Sequence, residues 1–300
     1  MRSRLAWLAA ALLAAALALG ACGGGGREDP ILQLSSQEAL DEGKKLMADK
    51  KWNPARKYFI HAFEVEPNSA TGREGLLLAA DAYFMAGGED NMIKAEARYR
   101  DFVNRFPTSE RAAYAQYQIG LTLSRRIAKP DRDQSISVQA VQALEDVERF
   151  YPTSEYAAQA KDEAARVRAR LAEHDYMVGR FYKRFGLPNS AVDRYVYLLE
   201  NFPDYTERDK VLYHLCAAYL ARKAPGDIAL ARESCDRLEK EHPESQYVEK
   251  IPKDWPEEPQ PKQLPQPKQK KGKGAEEPAK TAAGTAPSPT PSPPAADGRL

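Results

Sequence analysis

Apolar and small residues return on one helical face five times between residues 55 and 238, and a proline closes each return. The pattern is A-x3-Φ-x2-Φ-x4-P, where Φ is apolar or small. It occurs at Ala55/Phe59/Ala62/Pro67 and Ala95/Tyr99/Phe102/Pro107, then at Ala140/Leu144/Val147/Pro152, Ala191/Tyr195/Leu198/Pro203 and Ala231/Cys235/Leu238/Pro243. Steps of four and three keep the first three positions on one stripe of an α-helix. The proline lacks the N–H that the helix ladder requires and stops it. The residues that follow, Asn68-Ser69, Thr108-Ser109, Thr153-Ser154, Asp204-Tyr205 and Glu244-Ser245, are mostly good N-caps for a next helix. The prolines are 40, 45, 51 and 40 residues apart, so the chain reads as five successive helix pairs.

Each stripe resembles the second helix of the tetratricopeptide repeat, a unit of about 34 residues. Such a unit places a small residue at the eighth position of its first helix, where the two helices cross closely. Gly43, Gly120 and Gly179 fall there, with Leu46, Leu123 and Tyr182 three positions on. In the second and fifth units the best alignments are Ala80 with Tyr83 and Ala217 with Leu220. The extra residues lie in Gly87–Asn91, Ala128–Ser137 and Lys223–Asp227, which hold Gly, Pro and Asp as turns do. From Glu155 to Phe185 there is almost no helix breaker, so the helix leaving the third repeat is expected to merge with the first helix of the fourth. One hairpin cannot bury its stripe alone, and neighbours must stack to share a core. The expected fold is all-α: a right-handed superhelical solenoid of about five such hairpins over residues 33–250, with a disordered C-terminal tail.

The chain ends depart from this periodicity. Arg2 and Arg4 precede an Ala/Leu run from Leu5 to Leu19, shorter than the roughly 20 residues that span a bilayer. Leu19-Gly20-Ala21-Cys22 closes it and resembles the lipobox of bacterial lipoproteins. That resemblance implies cleavage after residue 21 and lipid on Cys22; an ordinary cleaved signal or an uncleaved anchor is the plainer alternative. Residues 22–32, with Gly23–Gly26, read as a flexible tether. The glycines lack the Gly-Lys-Ser/Thr and the preceding strand of a phosphate loop. Residues 251–300 carry about half of the chain's 22 prolines among Lys, Gln, Ala, Ser and Thr, a composition that cannot offset the entropy of ordering. Lys268, Lys270, Lys271 and Lys273 make a small basic cluster there, and Trp255 either packs back on the last repeat or stands in solvent.

Composition and motif content narrow the chemistry. A net charge of +1 with 29% charged residues gives no concentrated basic face for nucleic acid. His61, His174, His214 and His242 are scattered, with no zinc-protease, nucleophile-elbow or paired C-x-x-C motif. We therefore expect no catalytic residue, no metal and no cofactor beyond a covalent lipid on Cys22. Asp131-Arg132-Asp133 reads as a solvated loop with a local ion pair. Cys216 and Cys235 lie on the two helices of the last repeat. They are two buried apolar side chains, or a disulfide if the compartment is oxidising and the Cα atoms lie within about 7 Å.

In tetratricopeptide solenoids the first helices line the inner groove. Their groove positions here hold Leu40, Lys44 and Met47 in the first unit, Leu77, Phe84 and Met85 in the second, and Tyr114, Tyr117 and Arg125 in the third. Leu40, Met47, Phe84, Tyr114 and Tyr117 are the candidate peptide-groove residues, with inter-repeat core as the alternative for each. The fourth unit presents Tyr176, Arg180, Lys183 and Arg184, a basic surface suited to an acidic partner.

A lipobox followed by five such repeats is similar to the BamD family of outer-membrane assembly lipoproteins, over about residues 33–250. The likeness is closest in Asp131-Arg132-Asp133, Tyr151-Pro152-Thr153-Ser154-Glu155-Tyr156, Arg170-Leu171-Ala172-Glu173-His174-Asp175-Tyr176, Asp193-Arg194 and Phe202-Pro203-Asp204. It implies a lipid-anchored, periplasm-facing scaffold at the inner leaflet of the outer membrane. Such a scaffold docks on a BamA-like β-barrel subunit, works beside other assembly-complex lipoproteins and helps recognise unfolded outer-membrane protein peptides. Arg194 aligns with a family arginine at the barrel-subunit contact, and Arg180 and Arg184 are expected to join it; the alternative for Arg194 is an exposed helix arginine solvated by water or paired within its own repeat. The long Pro/Lys tail departs from the family pattern. The alternative is a tetratricopeptide lipoprotein scaffold of pilus assembly or peptidoglycan synthesis.

Overall fold

The computed structural model describes residues 29–257. The expected signal peptide, Cys22, most of the tether and the tail from residue 258 lie outside the described residues. Within them are ten α-helices and no strand: α1 (Ser36–Ala48), α2 (Trp52–Val65), α3 (Ala70–Ala86), α4 (Glu89–Arg105), α5 (Ala112–Ser124), α6 (Ser135–Phe150), α7 (Glu155–Arg184), α8 (Pro188–Asn201), α9 (Arg208–Arg222) and α10 (Asp227–Glu241). Each packs on its neighbour in sequence, giving five stacked hairpins.

The repeated pattern accounts for the second helix of every hairpin. All fifteen residues at its first three positions are at most 1% exposed. Each helix ends two residues before its proline, and the five ends share one geometry. The N–H just past the helix donates to the carbonyl of the third pattern residue: Glu66 to Ala62, Phe106 to Phe102, Tyr151 to Val147, Phe202 to Leu198 and His242 to Leu238. Three residues on, the next N–H closes a turn onto that same capping residue in all five. The following helix then begins, with the Ser69 and Ser154 hydroxyls accepting from Gly72 and Tyr156 as N-caps.

The glycines at the crossings are there because nothing larger fits. A Cβ on Gly43 would lie 2.5 Å from the Phe59 ring, one on Gly120 2.4 Å from Leu144, and one on Gly179 2.5 Å from the Tyr195 ring. Each partner is the second pattern residue of its own repeat. In the fifth repeat the partner of that residue, Cys235, is Cys216 and not the residue beside it, Ala217, so the alignment expected there shifts by one. The two cysteines are joined as a disulfide with Cα atoms 5.8 Å apart.

Helix α7 is a single helix of 30 residues. Its first half contributes Ala160, Ala164 and Val167 to the core of the second and third repeats. Its second half contributes Ala172 and Tyr176 to the core of the last two. A third cluster around Phe59 and Ala62 closes the first repeat. Order extends past both expected limits of the solenoid. Pro30–Gln33 forms a 3₁₀ turn before α1, and after the 3₁₀ turn Val248–Lys250 both Ile251 and Trp255 pack on the last core. Arg232 lies over the Trp255 ring, 5.0 Å from its centroid.

Candidate functional site

The candidate groove residues separate into two groups. Leu40 is 2% exposed and Phe84 5% exposed; both are core, and the expectation that they line a peptide groove is corrected. Each faces a neighbouring helix within the stack, and Phe84 is further covered by the Arg125 guanidinium 3.8 Å from its centroid. Met47 is partly buried against the first-repeat cluster, remote in the stack from the tyrosines.

Tyr114 and Tyr117, on successive turns of α5, do come together, and Tyr156 at the start of α7 joins them. The Tyr117 and Tyr156 rings stack at 5.7 Å, and Tyr114 meets Tyr156 edge-on at 5.5 Å. Beneath them Asp81 accepts hydrogen bonds from the Tyr99 hydroxyl at 2.6 Å and the Tyr114 hydroxyl at 2.8 Å. Burial pushes the Asp81 carboxyl above its usual range, while the two tyrosine hydroxyls and the Arg111 charge pull it back. Tyr156 escapes a search for groove positions because it sits in the first turn of a helix whose groove-lining half begins some twenty residues later.

On the fourth repeat, Arg194 donates to Asp175 across the α7–α8 pair at 3.0 Å. Burial raises the Asp175 carboxyl, and Arg194 and His174 lower it. Arg194 is therefore anchored within its own repeat, with 44% of its side chain still exposed. Arg180 and Arg184 project from α7 one turn apart, and neither makes an ion pair among the described residues. Beside them runs a stripe absent from the repeat pattern: Met177, Phe181 (54% exposed) and Phe185 (63% exposed), extended by Leu187. Phe181 and Phe185 lie 4.5 Å apart. Their spacing of four was the only signal in the sequence, and it is shared by ordinary core positions.

Among the described residues no group of His, Cys, Asp or Glu could hold a metal ion, and no helix is long and apolar enough to cross a membrane.

The sequence pattern of a family described as YfiO, an outer membrane lipoprotein, matches residues 33–226. The chain belongs to this family. Its curated relatives carry the name outer membrane protein assembly factor BamD. The Caulobacter vibrioides protein is 28% identical over 190 residues, covering 63% of this chain and 59% of the relative. The Rickettsia prowazekii protein is 26% identical over 217 residues, covering 72% and 85%. The chain thus spans under two thirds of the Caulobacter relative's length. Among solved structures, a thermophilic TPR protein of Thermus thermophilus is 17% identical, with a TM-score of 0.32, covering 71% of this chain and 97% of that one.

In this YfiO-family chain the segments that carry the resemblance are largely structural. Asp133 accepts from the Ser135 N–H at the start of α6, and the Gln134 amide donates to the carbonyls of Lys129 and Arg132. His174 on α7 contacts the Pro130 carbonyl and fixes the same loop to the long helix. Asp175, two residues before the stripe, holds Arg194.

Proposed function

We propose that this YfiO/BamD-family chain is a non-catalytic scaffold of outer-membrane β-barrel assembly. It docks on the barrel subunit through the exposed face of α7 and α8, and helps recognise unfolded outer-membrane protein segments on its inner face. The BamD name of its relatives supports the assembly role. The lipobox supports attachment through lipid on Cys22, in the inner leaflet facing the periplasm. One observation carries the docking surface: an uncovered apolar stripe, Met177–Phe181–Phe185, flanked by Arg180 and Arg184. Water-exposed phenylalanines in line on a rigid helix are unfavourable unless covered by a partner. The flanking cations favour one with carboxylates at its rim. Arg194, half-exposed and pre-oriented by Asp175, has guanidinium N–H groups left for the same partner.

Tyr117 and Tyr156 are the proposed contact for unfolded segments, since stacked rings offer apolar area at low entropic cost. The test is capture of the purified periplasmic domain of the barrel subunit. Phe181→Ser with Phe185→Ser is expected to weaken it at least about tenfold, and Arg194→Glu to weaken it as well. Unchanged affinity in the double variant removes the α7 face from the reading.

A further inference from the structure

Around His214 on α9 the structure gathers four cations and four tyrosine rings. Lys183 on α7 stands 3.3 Å from His214 Nδ1. An ammonium only donates, so Nδ1 accepts and the neutral imidazole carries its proton on Nε2, ready to donate. The His214 ring lies 5.2 Å from Tyr213, 5.7 Å from Tyr176, 6.1 Å from Tyr195 and 6.3 Å from Tyr247, and Tyr213 and Tyr247 stack on each other. Arg180 and Lys210 lie over Tyr176, and Lys250 over Tyr247.

Charge is not balanced here. Lys210 is neutralised by Glu173 and Glu207. Lys183, Arg180 and Lys250 make no ion pair among the described residues, although Lys183 is half-buried. A partly desolvated ammonium that meets a neutral imidazole and, 5.9 Å away, the face of Tyr213 still lacks its counter-charge.

We propose that this cluster binds an acidic peptide segment, with Lys183, Arg180 and Lys250 taking its carboxylates and Tyr213 and Tyr247 packing on its apolar stems. Arg180 and Lys183 come from α7 and Lys250 from the Val248–Lys250 turn, each against a different ring of the cluster: Tyr176, Tyr213 and Tyr247. That spread suits an extended chain bearing carboxylates at intervals better than a single phosphate. The site is built on the last two repeats; it shares Arg180 with the α7 docking face, while Lys183 and Lys250, which carry its test, take no part in that face.

The test uses the full chain carrying Cys22→Ser and a labelled, end-blocked hexaglutamate peptide, read by fluorescence anisotropy at low salt. Lys183→Gln and Lys250→Gln should each weaken binding about fivefold, while Lys57→Gln, an exposed cation on α2, should leave it unchanged. Hexaglutamine should not bind. In the imidazole spectrum, the His214 pKa, held near 4 by burial and by Lys183, Arg180, Lys210 and Lys250, should rise on saturation as carboxylates offset those charges. Affinity unchanged in both lysine variants, or a His214 titration indifferent to bound peptide, overturns the site. So does a response of the variants seen only with phosphatidylglycerol vesicles, which would make it a lipid headgroup contact. Lys250 sits in an exposed turn, so its variant keeps the test decisive if Lys183→Gln disturbs packing.

Discussion

Gly179→Ala pits two well-known effects against each other at the centre of α7. Replacing a mid-helix glycine by alanine normally stabilises by about 1 kcal/mol, through the entropy the unfolded chain no longer has. Here the added methyl would sit 2.5 Å from Tyr195 Cε1 and 2.9 Å from its Cδ1 and Cζ. Tyr195 is fully buried and wedged against Tyr176 and His214, so the ring has no free direction in which to yield. Overpacking of that kind costs about 1–3 kcal/mol, and a contact this short with a rigid ring belongs at the upper end. The expected net is a loss of about 1–2 kcal/mol, read from urea unfolding followed by far-UV circular dichroism. The decisive control is the same change in a Tyr195→Ala background. With the ring gone the clash disappears and helix propensity alone remains, so Gly179→Ala should there stabilise by about 1 kcal/mol. A change of the same sign and size in both backgrounds would refute the crossing argument, because the glycine would then owe nothing to the ring.

Other consequences are simpler to state. The bridge between Cys216 and Cys235 closes a separation of 19 residues, so Cys216→Ser with Cys235→Ser should lower the stability of the last repeat by about 3 kcal/mol; hydrogen exchange in α9 and α10 would locate the loss. Asp81→Ala removes the acceptor of two tyrosine hydroxyls and should destabilise by about 2–4 kcal/mol. Asp81→Asn, which keeps an acceptor oxygen in place, should cost less than half of that in the same unfolding assay. Burial, with Lys183, Arg180, Lys210 and Lys250, holds His214 near pKa 4 in the folded chain against 6.5 unfolded. As pH falls the unfolded chain therefore takes up this proton first. The associated stability is fully present above about 6.5 and is lost progressively towards 4. His214→Gln should flatten that part of a pH–stability curve, and an unaltered slope would count against the burial of the imidazole.

Much of the fold was legible because one short pattern repeats with its stop signal attached. Ala, a large residue and a third apolar residue at steps of four and three are sufficient to specify the buried face, and the proline to specify the end. The spacing could not tell groove from core on the first helices. Leu40 and Phe84 occupy groove positions in the repeat's numbering, yet both are covered, because groove and inter-repeat positions lie only about one residue apart around the helix and a modest rotation exchanges them. The same sensitivity displaced the last crossing from Ala217 to Cys216. Tyr114 and Tyr117 were readable as a pair because they sit on adjacent turns of one helix. Their third member, Tyr156, and the neighbours of His214 come from segments far apart in the chain, and only the stacking of repeats brings Lys183, His214 and Lys250 together.

The unbroken α7 explains where the unclaimed surface falls. Residues 155–178 contain neither glycine nor proline, so the chain does not turn back between the third and fourth repeats, and one helix about 45 Å long serves both. Its first half is consumed by the core around Tyr99 and Leu144, its second by the core around Tyr195. In an uninterrupted stack the outer side of that second half would be covered by the preceding hairpin. Here that hairpin already lies against the first half, so Met177, Phe181 and Phe185 are left bare at the joint. A helix shared between two cores therefore creates an exposed apolar face as a geometric consequence. Arg180 and Arg184 project beside it with no ion pair among the described residues. They make this joint the place where a folded partner with an acidic rim gains both apolar burial and paired charge.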